Sequence, residues 1–316
     1  MDARESLLRL ADGYLVTAAL HVAVDLGVAD ALAAGPLTAA ELAEALGADP
    51  GHLHRVLRLL AAEGVLAEAP AGFALTPLGS LLRTDGAESQ RGAVLARGRV
   101  YAGVVGALPG AVRSGDVAFD RARGLPFFEW LAGREAERAA FQTSMTARSA
   151  REAAAVVAAY DFGRFRRVVD VGGGTGVLLD AIRAANSQVE GVLFDRPEVA
   201  EPAGGIGGDF FVSVPVGGDA YTLSRVLHDW ADPAALQILR TCRAAMPTGT
   251  PLLVVEAVLP ARAVDAPAVV RMDATMLLLA TGRERTETEF AQLFAAAGFR
   301  LAQAVPAGDV VVLEAR

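Results

Sequence analysis

Lysine is missing from this chain: all 29 of its basic side chains are arginine. That absence excludes Schiff-base chemistry on a lysine and a phosphate loop that ends in one. Cysteine is nearly missing too. Cys242 is the only one, so no internal disulfide and no thiolate metal cluster can form. It falls in the helix-like stretch "ALQILRTCRAAM", where a lone thiol is expected to be a packing residue, and a reducing cytoplasm suits it. Long apolar runs are also lacking. "ATMLLLA" (274–280) is a third of the length a membrane span needs. The opening "MDARESLLRL" lacks the basic-then-apolar layout of a signal peptide, so a cytoplasmic protein that meets no membrane is expected. An excess of positive charge is absent as well. The net charge of −8 argues against nucleic acid as a partner.

The 316 residues, 53% of them hydrophobic, allow two domains with buried cores. Residues 1–82 read as short amphipathic helices. In "LTAAELAEALGADPGHLHRVLRLLAAEGVL" (37–66), Thr38 and Glu41 form a capping box. "GADP" supplies a turn, and a second helix turns Val56, Leu57, Leu59 and Leu60 inward. "AGFALTPLGSLL" reads as a returning strand pair, the wing of a winged helix. A DNA-binding regulator is therefore one alternative. Residues 1–82, however, hold ten acidic groups against four arginines, a net of −6 that repels phosphate. An interaction or dimerisation module fits better. Residues 83–160 are mostly helical. Trp130, Phe141 and Met145 stand there among small residues, either as core or as a pocket lining.

From about residue 165 the texture alternates. "RVVDV" (167–171), "GVLFD" (191–195), "AYTLS" (220–224) and "LLVVEAV" (252–258) are apolar, β-branched runs separated by helical or glycine-rich segments. That pattern predicts an α/β, doubly wound, mostly parallel sheet. The tail, "GFRLAQAV" then "GDVVVLEA", predicts an antiparallel pair at one edge.

"VVDVGGGTGVLLDAI" (168–182) is a strand, a glycine turn and a helix, in which Gly172, Gly174 and Gly176 permit a sharp turn and a close ligand. A dinucleotide fingerprint needs glycine at the position of Val177, so the spacing disfavours NAD and FAD. Asp195 ends the next strand, where an acid accepts hydrogen bonds from ribose hydroxyls, and an adenosine-containing ligand is indicated. His228, in "LSRVLHDWAD", and Glu256 stand near the carboxyl ends of later strands. A lone histidine beside an apolar run is ordinarily structural, but an acid on the same rim favours a catalytic pair. Glu256 interrupts an apolar strand and needs a partner. Glu284, in "TGRERTETEF", reads by itself as a solvated loop charge paired with Arg283 or Arg285, ahead of a helix that Thr286 and Glu289 would cap.

"VVDVGGGTG", "GVLFDRPEV", "GDFF", "LSRVLHDWAD" and "GRERTETEF", in this order behind a winged-helix-like region, resemble the S-adenosylmethionine-dependent small-molecule O-methyltransferases. Within that family the chain is most similar to bacterial natural-product members related to plant caffeic acid and flavonoid O-methyltransferases. The resemblance implies a Rossmann-like methyltransferase domain at 101–316, with 101–160 as helical linker and pocket, behind a dimerisation domain at 1–100. It implies an intertwined homodimer. The apolar pocket candidates suggest an aromatic, polyketide-like phenol as acceptor, with an amine or a carboxylate as alternatives. The resemblance assigns His228 as general base flanked by Glu256 and Glu284, which replaces the solvated-loop reading of Glu284. It places cofactor contacts on Gly172, Gly174, Asp195, Asp209, Phe210 and Ser224, and substrate contacts on Phe141, Met145, Met272 and Met276. No metal is required.

Two departures from the family pattern stand out. Relatives place a helix and a strand between the ribose acid and "GDFF", but here 197–208, "PEVAEPAGGIGG", has four glycines and two prolines, so that element is expected to be lost or reduced. The adenine contacts of Asp209 and Phe210 are then in question. Ala231 stands where relatives often carry an acid. Because some relatives have been diverted to hydroxylation, decarboxylation or pericyclic chemistry, a cofactor-binding but non-methylating enzyme is the other alternative.

Overall fold

The computed structural model describes residues 2–86 and 88–316. The chain divides into two compact units, one of residues up to 108 with 128–147, the other of 109–127 with 148–316.

The first unit is built from capped amphipathic helices. Thr38 accepts from the Glu41 amide, and the Glu41 carboxylate accepts from the Thr38 amide, closing the expected box on helix Ala39–Leu46. Asp49 caps helix Pro50–Ala62, whose Leu53, Leu57 and Leu60 are buried while Val56 and Leu59 are half-buried. The strand pair lies a little earlier than its sequence reading: β1 (Leu66–Ala69) and β2 (Gly72–Leu75) pair antiparallel. The rest of "AGFALTPLGSLL" is not strand, because Thr76 accepts from the Gly79 amide and Pro77 opens a helical turn over Pro77–Ser80. The helices Ala3–Ala11 and Gly13–Leu26 leave Leu7, Leu8, Leu10, Tyr14 and Leu15 exposed. Among the described residues no single helix is long and apolar enough to cross a membrane; these two reach that length only together, with a 47° bend between them.

The second unit holds a seven-stranded sheet. Its strands are β3 (Arg167–Val171), β4 (Glu190–Asp195), β5 (Ile206–Gly207), β6 (Ala220–Ser224) and β7 (Leu252–Glu256), followed beyond a separate two-stranded ladder by β10 (Leu301–Ala307) and β11 (Val310–Ala315). That ladder pairs β8 (Val258–Leu259) with β9 (Arg285–Thr286). The sheet order is β10-β11-β7-β6-β3-β4-β5. Strands β3 to β7 are parallel, and β11 enters antiparallel between β7 and β10. Alternation along the strands fills both faces. Val169, Val171, Tyr221, Leu223 and Val254 pack against Ile238, Leu239, Cys242, Phe290 and Phe294 on one face. Val168, Leu193, Leu253 and Val255 pack against Val156, Leu179 and Ile182 on the other. Cys242 is a packing residue, its thiol pushed up to about 12 by complete burial.

The order reverses between β3 and β6, because the chain runs outward through β4 and β5 and then returns to the other side of β3. Ligands of open α/β sheets bind at such a switch point, outside the carboxyl ends of the strands. The outward excursion is short here. Residues 197–208 form one turn of helix (Pro197–Ala200), a 3₁₀ turn and the two-residue β5, so the crossover is reduced as expected.

Candidate active site

Two structures meet at the switch point. The first is the glycine turn after β3. Gly172, Gly174 and Gly176 all have positive φ, between 60° and 87°. A Cβ on Gly172 would lie 2.8 Å from a Val226 methyl, whereas Gly174 has nothing within 4 Å and leaves its side open. The Gly174 amide donates to Asp195 at 2.8 Å, tying the turn to the end of β4. The shortened crossover still delivers "GDFF": a Phe210 ring carbon lies 3.6 Å from where a Gly172 Cβ would be, and Phe210, Phe211 and Trp230 meet edge to face. Asp209 accepts from the Phe211 amide at 2.8 Å. Ser224 ends β6 beside this turn. The open side of Gly174, the acid at β4 and the aromatic at Gly172 form a cradle that fits an adenosine-bearing cofactor.

Asp170, which sequence reasoning passed over, is fully buried beneath the turn. Thr222 donates to it at 2.6 Å, its other oxygen has no hydrogen-bond partner, and a Cβ on Gly173 would come within 2.4 Å of that oxygen. Burial pushes its carboxyl up to about 6 despite the Thr222 hydrogen bond.

The second structure follows β6. Arg225 continues the ladder, its amide donating to the Val255 carbonyl at 2.9 Å, but with φ at +56°. This is the one non-glycine residue among those described with positive φ, a conformation that costs roughly 1–2 kcal/mol. The kink leads into a 3₁₀ turn, Leu227–Asp229, that carries His228. Glu256, at the end of β7, accepts from the Leu227 and His228 amides at 2.8 and 3.3 Å. Glu284 pairs with His228 Nδ1 at 3.0 Å. His228 is 4% exposed and both glutamates are 0% exposed, so the solvated-loop reading of Glu284 fails: it pairs with neither Arg283 nor Arg285. Those arginines bind elsewhere. Arg285, itself buried, donates to the carbonyls of Leu227 and Trp230 and to Asp232, and so clamps the histidine turn. Gly282 packs so tightly beneath that turn that a Cβ would lie 2.0 Å from the His228 carbonyl oxygen.

The electrostatics set these groups apart. Burial, the largest influence on His228, opposes its charge, and Arg225 does the same. Asp229, Glu256 and Glu284 together outweigh both, so its pKa is raised. Burial raises Glu256, against the pull of His228 and Arg225. Glu284 is also opposed by burial, but the His228 hydrogen bond and the Arg225 charge hold it below the usual carboxylate range. His228, Glu256 and Glu284 bring one ligand-type atom each within 4.8 Å of one another, a spacing a divalent cation could bridge. The Arg225 guanidinium already faces both carboxylates at 3.4 Å, so the cation they meet is part of the protein and a second would be repelled.

Of the residues the sequence put forward, the structure brings together His228, Glu256 and Glu284, and separately Gly172, Gly174, Asp195 and Phe210. Met272 and Met276 lie on helix Pro267–Leu279 of the second unit, with the Met272 sulfur 3.6 Å from an Arg148 nitrogen. Phe141 and Met145 lie, half-buried, on the part of helix Glu135–Ala159 that belongs to the first. Arg225, Glu152, Asp170 and Arg285 were missed. Their positions show only when strands distant in sequence are paired.

This fold and this pair of sites define a Rossmann-like methyltransferase. Residues 106–300 match the family model described as the O-methyltransferase domain, and residues 8–85 match the O-methyltransferase dimerisation domain. The chain is 41% identical to a phenazine O-methyltransferase of Lysobacter antibioticus, over 98% of this chain and 95% of that one. It is 36% identical to the 8-amino-8-demethylriboflavin N,N-dimethyltransferase of Streptomyces davaonensis, over 94% and 90%. An O-methyltransferase from neocarzinostatin biosynthesis, solved with S-adenosylmethionine and 2-hydroxy-5-methyl naphthoic acid, superposes with a TM-score of 0.83 at 36% identity, covering 95% of each chain. The chain belongs to the S-adenosylmethionine-dependent O-methyltransferase family, among bacterial relatives that serve natural-product biosynthesis.

Proposed function

We propose that this enzyme methylates a phenolic hydroxyl of an aromatic natural product, with His228 as general base. The observation that carries the reading is the buried His228, paired with Glu284 on a turn that Glu256 anchors, directly after β6, the strand that neighbours β3 and its glycine turn. S-adenosylmethionine, when bound, supplies an already electrophilic methyl group, so the chain's own task is to position it and to free an oxygen lone pair. A phenol has a pKa of ~10, so about one in a thousand is ionised at neutral pH. A positioned imidazole removes that proton as the new bond forms, which is worth up to roughly 4 kcal/mol. Ionised Glu284 accepts the hydrogen bond of Nδ1–H, which holds that proton on the ring and leaves Nε2 to accept from the phenol. Glu256 holds the turn's backbone. Gly172, Gly174, Asp195, Asp209, Phe210 and Ser224 are assigned to the cofactor. Phe141, Met145, Met272 and Met276 are each assigned, by resemblance, to the acceptor's apolar faces.

A dimerisation domain, proposed to comprise residues 1–100, is assigned to homodimer formation. Its exposed Leu7, Leu8, Leu10, Tyr14 and Leu15 support this, since an apolar surface of that kind is ordinarily buried against a twin.

The test is His228→Gln. Single-turnover methyl transfer should fall by about 10²–10⁴, with the melting temperature and cofactor affinity nearly unchanged. Because the imidazole's pKa is raised, the acid limb of wild-type kcat/KM should lie above the ordinary histidine value. A variant with full activity per folded molecule would remove His228 from the chemistry.

A further inference from the structure

The mechanism above leaves one buried charge unused. The Arg225 side chain is 9% exposed, and its guanidinium lies 3.4 Å from Glu256, 3.4 Å from Glu284 and 3.9 Å from Glu152. Glu152, also buried, is shared with Arg148 at 3.8 Å. Arg225 Nε has no hydrogen-bond partner, and every oxygen that faces the guanidinium stands at ion-pair rather than ideal hydrogen-bond distance. The group therefore acts as a central charge among three carboxylates more than as a tether to any one. The chain adopts its left-handed kink at this same residue, and strained backbone concentrates where function over-determines it.

We propose that Arg225 is a positioning residue for the transfer reaction: its guanidinium keeps Glu256 and Glu284 ionised together, and so fixes the Nδ1–H tautomer of His228 that leaves Nε2 free to accept the acceptor's proton. This rests on His228 being the base. Two carboxylates buried this close cannot both stay ionised without a cation between them. If one took a proton, Glu284 could no longer accept reliably from Nδ1, or Glu256 would release the Leu227 and His228 amides. The groups facing the cluster are Glu152, Arg148, Glu256, Glu284, His228, Asp229 (3.5 Å from His228 Nε2) and Asp273, which accepts from the Glu284 amide at 3.0 Å. Removing the Arg225 cation raises the proton affinity of each of its neighbours. The active form, with neutral imidazole and ionised glutamates, is then reached only at higher pH, whichever group takes the proton up.

The experiment compares Arg225→Asn with Arg225→Lys. Asparagine removes the charge but tolerates left-handed backbone. Lysine keeps the charge as a point that cannot address three carboxylates at once. For Arg225→Asn, the acid limb of kcat/KM should move up by about 1–3 pH units, the range for one charge within 4–6 Å. Activity lost at pH 7 should return at alkaline pH. Arg225→Lys should keep its acid limb near wild type with a lower kcat. Should Arg225→Asn not fold, the titration of the His228 ring nitrogens by NMR in Arg225→Gln, which is also neutral, gives the answer: a Nδ1–H tautomer lost or exchanging at pH 7 supports the proposal, and one unchanged at full kcat overturns it. An Arg225→Asn enzyme whose acid limb stays in place also overturns it. If instead His228→Gln is fully active, the base assignment itself fails, and the pH profiles of the Arg225 variants are not needed to show it.

Discussion

The two halves of the switch point are made in opposite ways. The glycine turn after β3 presents backbone: its conformation is set by positive φ at Gly172, Gly174 and Gly176, and Asp195 beside it is held by the amides of Gly174 and Arg196 at 2.8 and 2.7 Å. The histidine turn after β6 presents buried charge: Arg225 lies within 4 Å of Glu256, Glu284 and Glu152, and Glu284 pairs with His228, all nearly cut off from water. A backbone-built site is insensitive to most distant substitutions, because amide and φ geometry are local. A charge-built site depends on every member, because removing one leaves the others buried without compensation. The cofactor end should therefore yield to mutation one contact at a time, and the base end all at once.

The sharpest way to break this contrast is to disturb the base end without touching a charge. Gly282→Ala places a Cβ 2.0 Å from the His228 carbonyl oxygen and 2.3 Å from the Asp229 carbonyl carbon, so the whole turn must move. Misplacement by about 1 Å costs on the order of 10²-fold in rate. Turnover should fall at least that far while S-adenosylmethionine binding, measured by calorimetry, stays close to wild type. Equal losses in both would show that the two ends are one mechanical unit.

A smaller effect is expected at the other end. Asp195→Ala removes one carboxylate and leaves the glycine turn its φ values. Loss of hydrogen bonds to a charged group costs about 1.5–3 kcal/mol, so cofactor affinity should fall by roughly 10–100-fold. The pH profile of the chemical step should remain that of wild type. An unchanged affinity would place the ribose elsewhere.

The same contrast explains what could be read from the sequence. Strands β3 and β6 coincide with "RVVDV" and "AYTLS", because a buried parallel strand is a short apolar run bounded by turn residues. Both capping boxes and the reduced crossover at 197–208 were legible for the same reason: each is a local pattern. The glycine turn was visible as spacing. The base end was visible only in part. His228 and Glu256 stood out because each interrupts an apolar run, but Glu284 had no such mark, and only the family resemblance singled it out. Arg225 meets Glu256 and Glu284 across 31 and 59 positions, and the need for glycine at 282 arises from backbone 54 positions away. No periodicity or propensity encodes a pairing of that range. The wing strands were placed slightly late because the Thr76–Pro77 helix start was read as part of a strand.

The smallest effect tests whether the buried charge is felt by the fold as well as by the reaction. The pKa of His228 is raised on folding, so its protonated form stabilises the native state. That contribution is full below the ordinary histidine value near 6.5 and is lost as pH rises through the higher folded value. His228→Gln has no such contribution. The melting-temperature advantage of wild type over His228→Gln should thus be larger at pH 6 than at pH 9. Each pKa unit is worth about 1.4 kcal/mol, and 1 kcal/mol moves the melting point of a domain of 150–250 residues by about 2–4 °C. Glu256 reduces the contrast. Its own pKa is raised by burial and held down partly by His228, so without the imidazole its costly ionised form is reached later, and the variant also loses stability toward alkaline pH. A difference of a few degrees at most is therefore expected. Curves that stay parallel from pH 6 to 9 would show that the stabilisation from His228 is no larger than the Glu256 offset, and the fold would then draw no net pH-dependent stability from the imidazole.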